Sequence, residues 1–233
     1  PWKYEIADVE DYQDVISSSS NWHTLPLSER AELLKLAALE MEKSRADLIG
    51  VAVAELGKTV AEVDVEVSEA IDFANYYAQN AEDLFHKDEI ESVSEGINLV
   101  LSPWNFPIAI PIGGVLASLA AGKRVILKPS QNAAACGYLI AQTLWNAGIP
   151  KSAFAFLPAE ESTLDPFLTG ANVFDAVILT GGTETANFLL ERNPRLKLYA
   201  ETGGKNTTIV TALSDREQAI SNVVQSAFGN SGQ

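Results

Sequence analysis

Residues 97–130, with the sequence INLVLSPWNFPIAIPIGGVLASLAAGKRVILKPS, decide the fold. They contain two short β-prone runs, 97–102 and 124–128, on either side of an apolar segment of helical length, 108–121. A strand, a crossover helix and a second strand make a βαβ unit, in which the two strands lie parallel. The stretch therefore predicts the start of a parallel sheet.

The same alternation continues toward the C-terminus. Further strands are predicted at 153–157, 176–180, 198–201 and 207–210, and helices at 132–147, 160–169, 184–192 and 214–228. Alternating strands and helices are typical of an α/β fold, with an open parallel Rossmann-like sheet and helices on both faces.

The sequence before residue 96 shows a different pattern, in which apolar residues recur at helical spacing. Ser28 is predicted to begin a helix that ends at Gly57, and Thr59 begins a second helix that runs to about Phe85. We therefore predict an N-terminal helical segment, residues 1–95, that packs on a dinucleotide-binding domain, residues 96–233.

Composition limits the classes of function. The formal net charge of −15 lies entirely in residues 1–95, since residues 96–233 carry equal numbers of acidic and basic side chains. An acidic chain without a basic stripe argues against nucleic acid as a partner. A single cysteine excludes an internal disulfide and favours a reducing, cytoplasmic location. The uncharged run 106–122 is interrupted by proline and glycine, which predicts a buried helix and no membrane span.

Polar residues follow four of the predicted strands, where an open parallel sheet binds its ligands. The strand ends carry PWNFP at 103–107, KPS at 128–130, TGGT at 180–183 and ETGGKN at 201–206. An amide, an ammonium group, a glycine-lined helix start and a carboxylate thus converge, and this convergence predicts a site.

Each group has a chemical use and a plain structural alternative. The Gly181-Gly182 turn leaves N–H groups at a helix start, where a pyrophosphate can bind, although it lacks the three-glycine fingerprint and also suits a turn without ligand. Lys128 can bind ribose hydroxyls or extend to solvent. Asn105 can donate to an oxyanion or satisfy its own turn. Glu201 can act as a general base if burial raises its pKa, or be a surface carboxylate.

The remaining reactive side chains are assigned no chemistry. Cys136 lies in a predicted helix among alanines and is interpreted as a small buried apolar residue. His23 and His86 have no metal-ligand spacing and are interpreted as surface or packing residues, so no metal site is predicted.

Together the motifs SPWNFP, KPS, LTGGT and ETGGK resemble the aldehyde dehydrogenase superfamily in order and spacing. The resemblance implies that a cysteine thiolate attacks a small-molecule aldehyde, that hydride passes to NAD or NADP, and that water hydrolyses the thioester. It implies that Asn105 stabilises the oxyanion, Glu201 activates water and Lys128 binds the adenosine ribose. The cofactor-binding residues it implies are Ser102, Pro103, Trp104, Lys128, Ser130, Gln131, Thr180, Gly181, Gly182, Thr185, Thr202 and Gly203.

A narrower resemblance concerns the substrate. The segments GKT at 57–59, residues 66–78 and AETGGKN at 200–206 resemble the branch that oxidises L-glutamate γ-semialdehyde, the open form of 1-pyrroline-5-carboxylate, in proline catabolism. This resemblance implies a homo-oligomer when full length and, in some members, fusion to a proline dehydrogenase domain.

Some positions depart from the family pattern. The family's nucleophilic cysteine would lie two positions beyond Gln233, so the 233 residues alone are expected to be inactive. Gln131 stands where NAD-preferring members often have glutamate, which leaves NADP open. Glu160 and Glu161 stand where relatives often have glycines, and their charge disfavours a nearby phosphate. Gly182 replaces a common serine.

Other functions remain open from the sequence. The chain can be a non-catalytic dinucleotide-binding module, an aldehyde dehydrogenase for a different substrate, or an acyl-phosphate or acyl-CoA reductase of the same superfamily. Glu201 argues against the reductase, because a carboxylate that activates water is less useful when the thioester passes to another acceptor.

Overall fold

The computed structural model describes residues 3–85, 95–169 and 173–233. The chain forms two compact units, Pro1–Thr202 and Gly203–Gln233. The boundary that the sequence predicts between residues 95 and 96 stays a prediction.

Within residues 3–85, four helices precede the sheet. They are α1 (Val9–Ser17), α2 (Leu27–Lys43), α3 (Arg45–Leu56) and α4 (Val60–Phe85), with a 3₁₀ turn at Trp22–Thr24.

The helix predicted from Ser28 to Gly57 is in fact two helices, because the chain breaks at Ser44 (φ −91°, ψ 7°). Ser28 is not the cap of α2; that position is Pro26, whose carbonyl accepts from the N–H of Glu29. Gly57 ends α3 in the left-handed conformation (φ 69°), which confirms the predicted helix end.

The predicted start of α4 is also confirmed. The backbone N–H of Thr59 donates to Glu62 Oε2 at 3.2 Å, and the N–H of Glu62 donates to Thr59 Oγ1 at 3.3 Å. These reciprocal bonds are a capping box, and they fix where the longest helix begins.

The strands and helices then alternate as predicted. They are β1 (Ile97–Leu101), α5 (Ala109–Ala120), β2 (Arg124–Lys128), α6 (Ala134–Asn146), β3 (Phe154–Phe156), α7 (Asp165–Leu168), β4 (Ala176–Gly181), α8 (Thr183–Arg192) and β5 (Leu198–Thr202), with 3₁₀ turns at Gln131–Ala133 and Glu161–Leu164. The strand order is β3-β2-β1-β4-β5 and all pairings are parallel. The helix predicted at 160–169 is shorter, a 3₁₀ turn followed by the single turn of α7.

The second unit holds α9 (Arg216–Phe228) and a 3₁₀ turn at Gly229–Gly232. Asp215 caps α9 by accepting from the N–H of Gln218 at 2.9 Å, whereas Ser214, the first residue of the predicted cap, instead accepts from Thr211. The strand predicted at 207–210 is wrong, because these β-prone residues pair with no strand among the described residues.

Side chains of the sheet alternate between two apolar cores. Leu99 and Leu101 of β1 join Val177 of β4 and Tyr12 of α1 on one face. Val100 joins the apolar sides of α2, α4 and α5 on the other face. Both faces are therefore covered, as a buried parallel sheet requires.

Helix α5 lies inside the core, which confirms the buried helix predicted for 106–122. Within residues 3–85, 95–169 and 173–233, no helix has both the length and the apolar character needed to cross a membrane.

Gly122, after α5, has a positive φ of 83°, and a Cβ there would clash with Nη1 of the buried Arg30. We expect Gly122→Ala to lower the free energy of unfolding by about 2 kcal/mol, from left-handed strain and overpacking. Gly50→Ala, inside α3 with open space around it, should raise it by up to about 1 kcal/mol. Urea unfolding followed by circular dichroism measures both changes. Equal stability of the two variants would contradict the strain and overpacking expected at residue 122.

Candidate active and cofactor site

The register of the sheet brings the predicted residues to one edge. Leu101, the last residue of β1, pairs with Lys128 of β2 and with Leu179 of β4. The next residue of β4, Thr180, pairs with Glu201 of β5. Because all the strands are parallel, the loops that follow them leave the sheet side by side, as ligand-binding loops do in open α/β sheets.

The loop after β1 is tied to the loop after β2. The N–H of Ser102 donates to the carbonyl of Lys128 at 3.4 Å, and the carbonyl of Ser102 accepts from the N–H of Ser130 at 3.0 Å. These bonds place the SPWNFP and KPS motifs next to each other. Trp104 projects from the first loop with 41% of its surface exposed.

Exposure differs among the predicted site residues. Ser102 is buried. The partly buried residues are Pro103, Asn105, Lys128, Ser130, Thr180, Gly181 and Thr185. The exposed residues are Trp104, Gln131, Gly182, Glu201, Thr202 and Gly203.

Carboxylates occupy the N-termini of two helices at this edge. Glu66 of α4 accepts from the N–H groups of Ile108 and Ala109, where α5 begins. Glu55 of α3 accepts from the N–H groups of Ala135 and Cys136, where α6 begins. A carboxylate at a helix N-terminus satisfies free donors and interacts favourably with the helix dipole. These two helix starts are therefore closed to an anionic ligand.

The N-terminus of α8 is different. Its cap is Gly182, and in the part of the chain that the structure describes no side chain accepts from the first N–H groups of this helix. An uncapped helix N-terminus preceded by glycine suits a phosphate group. The structure thus separates α8 from α5 and α6 as the helix start that fits a pyrophosphate.

Lys128 is the ammonium group of this edge. Burial lowers the pKa of Lys128, while the nearby carboxylates of Glu161 and Glu160 act to raise it. Both carboxylates are exposed. The region around Lys128 therefore combines one cation with two anions, which bears on the kind of nucleotide that it can accept.

The N-terminal segment borders the same region, a feature that the sequence did not indicate. Tyr4 donates its hydroxyl proton to the carbonyl of Gln131 at 3.1 Å, and the N–H of Ala7 donates to the carbonyl of Pro158 at 2.8 Å. No motif marks these contacts, because they join residues more than a hundred positions apart.

Glu201 is exposed, as is Thr202 after it. The burial on which a role as general base depends is not supplied by the residues that the structure describes. Gly203 is the first residue of the second unit. The roles predicted for these three residues stay predictions.

Cys136 is fully buried at the start of α6, which confirms its interpretation as a packing residue. Burial, reinforced by Glu55, raises the pKa of the Cys136 thiol far above its usual value. Such a thiol is a poor nucleophile. The described residues contain no cluster of side chains that could hold a metal ion, and His86 lies outside them.

By its architecture the chain is an α/β protein with N-terminal helices and a five-stranded parallel sheet. Its sequence is more specific: residues 3–233 match the Aldehyde dehydrogenase family, and the chain belongs to that family. Aldehyde dehydrogenases typically use NAD(P).

Individual relatives are similar over nearly the whole chain. The "Bifunctional protein PutA" of Escherichia coli (strain K12) is 38% identical over 233 residues, which are 95% of this chain and 17% of that protein. The "1-pyrroline-5-carboxylate dehydrogenase" of Staphylococcus aureus (strain MW2) is 31% identical over 245 residues, 97% of this chain and 48% of that protein. The chain therefore spans about half the length of the single-function relative and less than a fifth of the bifunctional one.

A solved structure agrees with these relatives. Proline Utilization A (PutA) from Corynebacterium freiburgense superimposes with a TM-score of 0.90 at 40% sequence identity, covering 98% of this chain and 24% of that one. The resemblance to aldehyde dehydrogenases that the four motifs indicated is thereby confirmed, as is the narrower resemblance to the 1-pyrroline-5-carboxylate branch indicated by residues 57–59, 66–78 and 200–206.

Proposed function

We propose that this chain is the cofactor-binding part of an enzyme that oxidises L-glutamate γ-semialdehyde to L-glutamate with NAD⁺, through a cysteine thioester. The observation that best supports the proposal is the shared sheet edge, where Lys128, the loop of Asn105, the open start of α8 and Glu201 lie at the carboxyl ends of neighbouring strands. The substrate is inferred from the GKT and AETGGKN segments and from relatives named for 1-pyrroline-5-carboxylate.

The residues of this edge fit a dinucleotide. The uncapped N-terminus of α8 suits the pyrophosphate, and Lys128 suits the hydroxyls of a ribose. When bound, NAD⁺ supplies an acceptor for the hydride of the aldehyde. Trp104, Ser102 and Pro103 would border the cofactor from the loop after β1.

The chemical step needs an amide and a base. Attack of a thiolate on the aldehyde carbon places negative charge on the carbonyl oxygen, and the side-chain amide of Asn105 would donate a hydrogen bond to it. Glu201 would take a proton from the water that attacks the thioester, so that the acid forms and the thiolate leaves.

We propose NAD⁺ as the preferred cofactor. The 2′-phosphate of NADP⁺ would add negative charge near Lys128, where the carboxylates of Glu160 and Glu161 already contribute negative charge. Nearby like charges disfavour binding of the phosphate, and Gln131 offers no positive charge to offset them. The homo-oligomer, the fused proline dehydrogenase domain and the cytoplasmic location stay predictions.

Lys128→Met tests the cofactor site. We expect it to weaken NAD⁺ binding about tenfold or more, because it removes a charged donor to the ribose. The measurement is calorimetric titration of the complete gene product with NAD⁺ and, separately, with NADP⁺. Lys151→Met is the matched control, since Lys151 precedes β3 at the opposite edge of the sheet and its ammonium lies over the ring of Trp145.

Several outcomes separate the alternatives. Equal NAD⁺ affinity in Lys128→Met and wild type would refute the proposed ribose contact, and tighter binding of NADP⁺ would refute the cofactor preference. Binding without NADH formation from 1-pyrroline-5-carboxylate would favour a non-catalytic module. Activity that depends on coenzyme A or phosphate would favour an acyl reductase.

A further inference from the structure

Two residues ahead of the sheet hold the backbone on both sides of Phe106. Lys58, which lies just before α4, donates from Nζ to the carbonyl of Asn105 at 2.6 Å. Glu66, in the second turn of α4, accepts at Oε1 from the N–H of Ile108 at 2.7 Å and from that of Ala109 at 3.2 Å. The loop is thus held at the carbonyl of Asn105 by Lys58 and, where it enters α5, by Glu66 of α4.

Lys58 and Glu66 also form a buried ion pair. Nζ lies 3.0 Å from Oε2, and only 6% and 2% of the two side chains are exposed. This Oε2 makes no aligned hydrogen bond within the described residues, so the contact to the ammonium is chiefly electrostatic. The ammonium lies 4.4 Å from the centre of the Phe106 ring, which adds a cation–π contact. The ammonium of Lys58 therefore contacts the loop, at Asn105 and Phe106, and the carboxylate of Glu66.

The two members of the pair carry opposite charges 3.0 Å apart, so the pair as a whole is neutral. The carboxylate interacts with the N-terminus of α5, and the ammonium neutralises what remains. A proton carrier would need access to a reacting group, whereas this ammonium is buried and bound to the protein backbone. The pair is suited to fixing geometry, because holding the backbone fixes the point from which the Asn105 side chain projects before charge develops nearby.

We propose that Lys58 and Glu66 are positioning residues, which hold the backbone of Asn105 so that its amide meets the developing oxyanion. The inference rests on the proposed function, because Asn105 has this task only in an aldehyde oxidation. The inference gives a role to Lys58 of the GKT segment and to Glu66. Both residues belong to the segments that resemble the 1-pyrroline-5-carboxylate branch, and the resemblance by itself implied no role for them.

The test is a mutant cycle in the complete gene product, with steady-state oxidation of 1-pyrroline-5-carboxylate by NAD⁺. The neutral pair Lys58→Met with Glu66→Gln avoids leaving one buried charge alone, and the introduced glutamine retains an acceptor for the two N–H groups. We expect kcat to fall about 10- to 100-fold with KM for NAD⁺ within about threefold, since a displacement near 1 Å is enough for such a loss.

The decisive arm repeats the change in an Asn105→Ala background. If the pair acts through Asn105, the double substitution should lower kcat by less than about threefold in the Asn105→Ala background, because the amide that the pair positions is gone. An equal loss in both backgrounds would mean a general structural role and would overturn the inference. No loss in either background would overturn it as well.

Two controls keep the result clear. Lys35→Met breaks the partly exposed ion pair of Lys35 with Glu82, at 2.6 Å, and should leave kcat unchanged. If the neutral pair does not fold, as judged by thermal unfolding, the same cycle is run with Lys58→Arg, which keeps both charges of the pair and changes only the geometry of the donor. A folded wild type that binds NAD⁺ but oxidises no aldehyde would overturn the proposed function itself and this inference with it; an active wild type with additive variants overturns the inference alone.

Discussion

Asn105→Ala in the complete gene product is expected to lower kcat about 10²- to 10³-fold, the loss typical of removing one oxyanion donor. The dissociation constant for NAD⁺ should stay within about threefold, because the amide is proposed to contact the substrate oxygen and not the cofactor. The loop itself should survive the change, since Lys58 bonds the backbone carbonyl of residue 105 and not its side chain.

Stopped-flow measurement of NADH formation, combined with calorimetric titration of NAD⁺, checks this expectation. A slower first turnover at unchanged affinity assigns the loss to the step in which the oxyanion forms. Asn75→Ala is the matched control, because Asn75 is an exposed asparagine of α4 whose amide donates to the carbonyl of Ile71 in the same helix. A first turnover as fast as that of wild type would remove Asn105 from the chemistry.

The central strands could be predicted from sequence for a simple reason. The runs at 97–101 and 124–128 are apolar on both faces because both faces of this sheet are covered. The alternation of these runs with helical segments then leaves few topologies to consider. The segment 207–210 has similar β-propensity but no partner strand in the described chain, and propensity alone does not make a strand.

The break between α2 and α3 could not be predicted from the spacing of apolar residues. Apolar residues continue at helical spacing through Ser44, which is neither glycine nor proline, so nothing in the local sequence marks the end of a helix there. The turn follows from tertiary packing, since α2 and α3 on either side of it both lie against α4 and α6. Tertiary contacts of this kind routinely override local propensity.

The same distinction holds for the site. Lys128 and Glu201 could be located because strand ends of a parallel sheet meet at one edge, so a local pattern gives a spatial position. Glu55 and Glu66 could not, since they bond backbone groups 80 and 42 residues later in the chain. Their carboxylates on helices look like any solvated charge until the fold places them at the starts of α5 and α6.

Trp22→Ala is expected to cause the largest loss of stability, about 3–5 kcal/mol in the free energy of unfolding. Trp22 is only 1% exposed and is among the largest side chains that the fold buries completely. Its ring packs in the core between the N-terminal helices and the sheet, and its Nε1 donates to the carbonyl of Leu119 at 2.9 Å. Removing it opens a cavity next to the end of α5 and cuts this bond.

Urea unfolding of the 233-residue chain, followed by circular dichroism, measures the loss, and Trp22→Phe should show part of it because most of the ring volume remains. Trp104→Ala is the matched control, since Trp104 is 41% exposed at the sheet edge. We expect that variant to unfold within about 1 kcal/mol of wild type while weakening NAD⁺ binding. The two variants would thus distinguish Trp22, which holds the helices on the sheet, from Trp104, which is proposed to contact the cofactor. A Trp22→Ala chain as stable as wild type would mean that the helical segment adds little to the stability of the sheet.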